Sequence, residues 1–252
     1  MKPPEDREIP LEEHLAELRR RVIRISIVMI SGIGITFRFA GDLIKDLWND
    51  VLPEGMKIYV FSPTEWFMAQ LTFSFVLTLI VAYPYIVYEL YQFAKPGLYE
   101  HERRFVKTFL PFSYVLFIVG VAMSYLIIIP KLFSAVMIFS MGAEPYLSAK
   151  RTLYSAFKIL LAFGLAFQIP VLAVIAVRIG LITSKWLRDK RLLVYLIVFI
   201  LATNVTLDIS GISQLVILAL VVVMYELSVF LAKIMERGRT ERRLDISSRE
   251  SS

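Results

Sequence analysis

Residues 108–130 run for 23 positions without a charged side chain. A helix rises about 1.5 Å per residue, so this stretch extends for roughly 35 Å, enough to cross the roughly 30 Å hydrocarbon core of a bilayer. Five more apolar segments follow the same pattern, at residues 22–41, 69–88, 159–177, 192–202 and 215–225. The first carries Arg24 and Arg38 near its ends, and the fourth is bounded by Lys158 and Arg178. The last two hold eleven uninterrupted apolar residues each, about 16–17 Å of helix. They either form one buried hairpin or thin the bilayer locally. Composition agrees: hydrophobic residues make up 57% and charged residues 20%, with a mean hydropathy of +0.65. Soluble domains sit near 45–50% and about 25%. The expected fold is an all-α integral membrane protein of six transmembrane helices with both termini inside, the last two helices being short. Residues 1–21 read as a cytoplasmic amphipathic segment, 22–232 as the membrane domain, and 233–252 as a charged, disordered cytoplasmic tail. The first apolar segment follows about twenty polar residues and lacks a small-x-small cleavage site, unlike a secretory signal.

Basic residues orient the spans. Of the 28 Lys and Arg residues, 21 fall in residues 1–24, 92–107, 178–191 and 233–252. Seven fall on the other side: Arg38, Lys45, Lys57, Lys131, Lys150, Arg151 and Lys158. Six spans place both termini on one side, and this split makes it the cytoplasm. The net charge of +6 is therefore spread over loops, and no nucleic-acid partner is expected.

Local signals fit this partition. Ser62-Pro63-Thr64-Glu65 has the form of a capping box with proline in the first turn. Lys95-Pro96-Gly97 ends the second helix. Leu43, Ile44, Leu47, Trp48 and Val51 repeat at helical spacing and predict an interfacial helix on the outer side. Thr183 can cap the fifth helix.

Enzymatic chemistry finds little support. There is no cysteine, and the two histidines, His14 and His101, lie in polar stretches. An intramembrane serine protease needs a base beside its serine, and no histidine lies in a span. An aspartyl protease needs two aspartates, and Asp208 stands alone at an outer edge. No nucleotide-binding glycine motif is present. No enzyme activity, metal or cofactor is expected, which leaves binding or transport.

Two segments concentrate charge beside the spans. In Leu11-Glu12-Glu13-His14-Leu15-Ala16-Glu17-Leu18-Arg19-Arg20-Arg21, Leu11, Leu15, Leu18 and Val22 share one helical face. Glu17 and Arg21 form an i,i+4 pair. In Tyr91-Gln92-Phe93-Ala94-Lys95-Pro96-Gly97-Leu98-Tyr99-Glu100-His101-Glu102-Arg103-Arg104, Glu100 has local arginine partners. Glu102 has none downstream, so it is either solvated or open to a ligand.

The patterns His-Leu-x-Glu-Leu-Arg-x-Arg and Phe-x-x-Pro-x-Leu-Tyr-x-x-Glu-Arg-Arg in these segments resemble TatC, the multi-spanning core of the twin-arginine protein translocase. Ser62-Pro63-Thr64-Glu65, the run Ala162-Phe163-Gly164-Leu165-Ala166-Phe167-Gln168-Ile169-Pro170, and Tyr225-Glu226-Leu227 extend the resemblance over roughly residues 10–235. It implies a receptor for twin-arginine signal peptides. Such a receptor exports folded proteins, driven by the proton-motive force, in an oligomeric complex with single-span TatA/TatB-type subunits.

By the same resemblance, the signal-binding carboxylates fall on Glu17 and Glu102. A guanidinium fork fits a carboxylate in a bidentate way that lysine cannot match. Arg19, Arg21, Arg103 and Arg104 then keep the carboxylates ionised and oriented, and can bind membrane lipid phosphates. Phe93, Leu98 and Tyr99 pack around them. Gln168 stands mid-span, where the family more often has Glu, and faces protein or a wet cavity because lipid offers it no partner. Pro170 kinks that helix. Asp208, Gln214 and Glu226 fall in the region the family uses to contact its single-span partners, although Glu226 also fits a snorkelling residue or a pair with Lys233 or Arg191. Thr206-Leu207 replaces the family's usual proline before the aspartate, and Thr72 stands where a lysine is common. The competing reading is a small-solute secondary transporter, which calls for several ionisable groups at mid-membrane and repeated halves.

Overall fold

The computed structural model of the chain describes residues 11–51, 58–139, 147–205 and 212–250. Among them, five helices are long and apolar enough to cross a membrane, and a shorter apolar helix covers Arg191–Ile200. The chain divides into two compact units, residues 1–163 and 164–252.

In the first unit, α1 (Leu11–Val51) is one helix of 41 residues, about 60 Å long. Residues 11–21 of the N-terminal segment and the outer interfacial helix expected from the sequence are its two ends. The glycines do not break it, and α2 (Pro63–Ala94) lies against two of them, Gly32 and Gly41. A Cβ on Gly32 would come within 2.4 Å of Thr78 Cγ2, and one on Gly41 within 2.9 Å of Gln70 Nε2. Thr36 Oγ1 lies 3.1 Å from Thr78 Oγ1 and donates to the Ser74 carbonyl at 3.2 Å. Gly32, Thr36, Ala40 and Ile44 thus form a seam of small and apolar residues at i,i+4 spacing, the usual way for two membrane helices to approach closely. Farther along, Trp48 meets Trp66 with ring centroids 5.7 Å apart.

α2 starts as its sequence specifies. Ser62 is the N-cap, with its hydroxyl accepting from the Glu65 N–H at 3.2 Å, and Pro63 opens the helix. Glu65 reaches one residue further back than a standard capping box, accepting from the Phe61 N–H at 2.8 Å. It also accepts from Ser148 Oγ and from the Lys150 N–H at 3.1 Å, tying the start of α2 to that of α5 (Ala149–Ala166). A two-residue parallel bridge, β1 (Ile58–Tyr59) with β2 (Leu147–Ser148), lies alongside. A single 3-10 turn, Lys95–Gly97, ends α2. α3 (Glu100–Met123) packs back on it, with Tyr83 stacked on Phe117 at 4.0 Å and bonded to Ser113 Oγ at 3.0 Å. A π-turn at Ser124–Ile128 passes α3 into α4 (Ile129–Phe139). It ends two positions before Pro130, which has no N–H to give the regular ladder.

In the second unit, the helix breaks at Phe167 and resumes as α6 (Gln168–Arg178). Pro170 cannot donate to the Ala166 carbonyl, so the kink expected from the sequence falls there. α6 closes on Gly180 at φ 78°, a left-handed conformation that glycine adopts freely. The Leu181 N–H reaches the Ala176 carbonyl at 2.9 Å and the Gly180 N–H the Val177 carbonyl at 3.1 Å, a Schellman closure. Thr183 caps a short helix, α7 (Ser184–Asp189), one element earlier than expected. α8 (Arg191–Val205) and α9 (Ile212–Glu250) follow. Ala173, Val177, Leu187, Tyr225, Val229 and Ala232 form the core of this unit.

One expectation is corrected here. Of the last two helices only α8 is short, since the candidate span of α9 covers 23 residues, Gln214–Glu236. The apolar run resumes after Glu226, and that charge is met by Arg191 at 2.7 Å and the Tyr195 hydroxyl at 2.5 Å. The helix α9 itself runs to Glu250. Its Glu, Arg and Leu residues are good helix formers, and extending an existing helix avoids the cost of nucleation.

Candidate functional site

The two charged segments meet at one end of the first unit. The His14 ring stacks on Phe93, with centroids 4.4 Å apart and planes at 25°, which sets the first turns of α1 beside the last turn of α2. The Tyr91 hydroxyl donates to the Arg103 carbonyl at 3.2 Å, joining the end of α2 to the start of α3. Leu98 is buried beneath the connection, while Tyr99 is exposed and stacks on His101 at 5.9 Å.

The expected i,i+4 pair is present: Arg21 Nη2 donates to Glu17 Oε1. The Glu17 side chain stays about one-third exposed, and its second oxygen carries no bond among the described residues. Glu102 is buried at 8% exposure. Its Oε2 accepts from the Tyr99 N–H at 2.9 Å, capping the α3 N-terminus as a glutamate at the third helical position does. The partner that Glu102 lacked downstream is therefore upstream and on the backbone. Its other oxygen is likewise unbonded among the described residues.

The neighbouring arginines divide their work. Arg103 Nε donates to the Lys95 and Leu98 carbonyls at 3.0 and 2.8 Å, closing the end of α2. No ion pair joins it to Glu100 among the described residues. Arg19 and Arg104 are exposed. Arg21 extends inward: its Nη1 donates to Glu89 Oε2 at 3.0 Å.

Glu89 is the residue that sequence reasoning missed. It is 4% exposed and receives Arg21, Arg24 Nη1 at 3.2 Å, and the Tyr85 hydroxyl at 2.9 Å. A charge this deeply buried requires such partners. The readable signal was a glutamate one turn after Tyr85, just past the apolar run that ends at residue 88.

The other expected positions lie elsewhere. Gln168 is buried at 6% exposure, while Leu165 and Leu172 on either side are 56% and 63% exposed. Glu226 takes the Arg191 alternative. Gln214 is half-buried near the start of α9. Asp208 lies outside the described residues.

Together these features define a multi-spanning helical membrane protein with a carboxylate- and arginine-bearing patch at one end of its first three helices. The family model for the Sec-independent protein translocase protein (TatC) matches residues 13–235. The TatC protein of Methanocella arvoryzae is 36% identical across 92% of this chain and 96% of its own length. That of Aquifex aeolicus is 32% identical across 92% and 98%. A crystal structure of the twin-arginine translocase receptor TatC superposes with a TM-score of 0.81 at 30% identity, covering 88% of this chain and 99% of that one. The chain belongs to the TatC family. It is a translocase component of the twin-arginine system, and the small-solute transporter reading is set aside.

Proposed function

We propose that this chain is the signal-peptide receptor of its translocase, with Glu17 and Glu102 reading consecutive arginines from the cytoplasmic side. The observation supporting this is that each carboxylate spends one oxygen on the fold while the other carries no hydrogen bond among the described residues. Arg21 and the Tyr99 N–H fix their positions, and an incoming guanidinium would make a charge-assisted bond to a pre-placed acceptor. Arg19 and Arg104, both exposed, hold lipid phosphates beside the bound peptide. Phe93, Leu98 and Tyr99 supply the packing around it.

In this reading the membrane is the cytoplasmic one, crossed six times with α8 as the short span and both termini inside. The basic distribution supports that orientation. Single-span TatA/TatB-type subunits dock near Asp208, Gln214 and Glu226, and the oligomeric complex moves folded cargo using the proton-motive force.

The test is binding of a twin-arginine peptide and its twin-lysine control to purified wild type, Glu17→Gln and Glu102→Gln. Glutamine at 102 can still accept the Tyr99 N–H, so that substitution removes charge and spares the cap. Both variants should bind more weakly and prefer arginine less. Wild-type affinity and preference in both would overturn the assignment of the site.

A further inference from the structure

The guanidinium of Arg21 is shared between two carboxylates on different helices. Nη2 serves Glu17 on its own helix, and Nη1 serves Glu89 on α2. Arg21 Nε is buried and carries no hydrogen bond, so the group bridges with its two tips and does not sit side-on against either acid. Arg24 and Tyr85 complete the set around Glu89.

We infer that Glu89 is a positioning residue for signal recognition: by holding one end of Arg21, it keeps Arg21 from closing over Glu17. The inference rests on Glu17 being the acceptor for a signal arginine. Arginine and carboxylate pair most strongly as a two-bond fork. At i,i+4 spacing on one helix, Arg21 is within reach of both oxygens of Glu17. Left to itself, it would take them both, and the site would hold its own internal arginine in place of the incoming one. Glu89 prevents this by competing for the same guanidinium. Buried where water cannot screen it, an ionised Glu89 draws Arg21 strongly. Glu17 is thereby held in place by a single bond, with one oxygen left for the ligand.

Neutralising Glu89 and neutralising Arg21 should therefore offset each other in peptide affinity; an offset confined to the unfolding midpoint is what a purely structural ion pair produces. The experiment uses the purified full chain and a twin-arginine peptide, with a twin-lysine peptide as control. Glu89→Gln should lower affinity for the arginine peptide roughly 10-fold, about the loss of one charge-assisted bond. Glu89→Gln combined with Arg21→Gln should bind more tightly than Glu89→Gln alone, because the competitor for Glu17 is gone. Unfolding midpoints measured on the same samples follow structural damage separately. Should Glu89→Gln not purify, Glu89→Asp with and without Arg21→Gln makes the same comparison, its carboxylate being one methylene farther from Arg21. Wild-type affinity in Glu89→Gln, or a double variant no better than the single one, would overturn the inference. Glu17→Gln separates the two levels. If it loses affinity while Glu89→Gln does not, only the role of Glu89 fails. If Glu17→Gln itself binds normally, the receptor site fails and takes this inference with it.

Discussion

His14 and Phe93 lie face to face, ring centroids 4.4 Å apart, although 79 positions separate them in the chain. This contact closes the gap between the two charged segments, which a two-carboxylate reading of paired arginines requires. The protein has no cysteine of its own, so a pair introduced at positions 14 and 93 can be tested cleanly. Oxidation should join them rapidly in membranes. Phe93→Ala should cost at least about 0.5–1.5 kcal/mol, the usual worth of an aromatic pair beyond its area, and loosen the start of α1. An unchanged exchange rate for the amides of residues 12–18 in Phe93→Ala would contradict this.

Glu17→Ala and Glu102→Ala should each weaken twin-arginine peptide binding by about 1.5–3 kcal/mol, or roughly 10- to 150-fold. Glu102→Ala should also lower stability, because the Tyr99 N–H loses its acceptor; Glu102→Gln should not. Glu100→Ala, at an exposed position, should leave affinity within about threefold of wild type. Calorimetric titration against the same peptide ranks all four.

Labelling of single cysteines at Asn49 and Ser252 by a membrane-impermeant reagent should mark opposite faces. The expectation comes from the division of 21 basic residues against seven. Labelling of both from the same face would reverse the proposed topology.

A lipid-phase photoprobe placed at position 168 should label weakly, and the same probe at 165 or 172 strongly. Gln168 is 6% exposed while Leu165 and Leu172 are more than half exposed. Gln168→Leu should insert normally and transport poorly. Strong probe labelling at 168 would show that this face meets lipid.

Glu226→Gln should destabilise the second unit by no more than about 1 kcal/mol. The Arg191–Glu226 pair is 37% and 43% exposed, and partly exposed pairs contribute little. A thermal shift well beyond that of Tyr195→Phe would mean the pair is more shielded than its exposure indicates.

The features that could be read from the sequence are those made within a few residues. Ser62 and Thr183 cap helices because their hydroxyls reach an N–H three positions on. Lys95-Pro96-Gly97 and Pro170 interrupt helices by removing local bonds. Glu17 and Arg21 meet because they are one turn apart. What the sequence hid depends on a second helix. Gly41 reads only as the last residue of an apolar segment until Gln70 is seen against it. Glu226 reads as the end of an apolar run until Arg191 neutralises it. Glu89 reads as the first residue outside a span. Only the packing of α1 on α2 delivers Arg21 and Arg24 to it, and no periodicity in either segment reports that.

Glu65 has a consequence for how the chain is made. Its acceptor bonds to Ser148 and Lys150 span 83 and 85 positions. When α2 leaves the ribosome, those partners have not yet been synthesised, and the first turn is held only by Ser62 and by the bond from the Phe61 N–H to Glu65. Its other oxygen, Oε1, must wait, hydrated, at the membrane edge until α5 arrives. Closure at Glu65 is therefore a late event in biogenesis, and a chain stalled before α5 inserts carries an open latch at the head of its second helix.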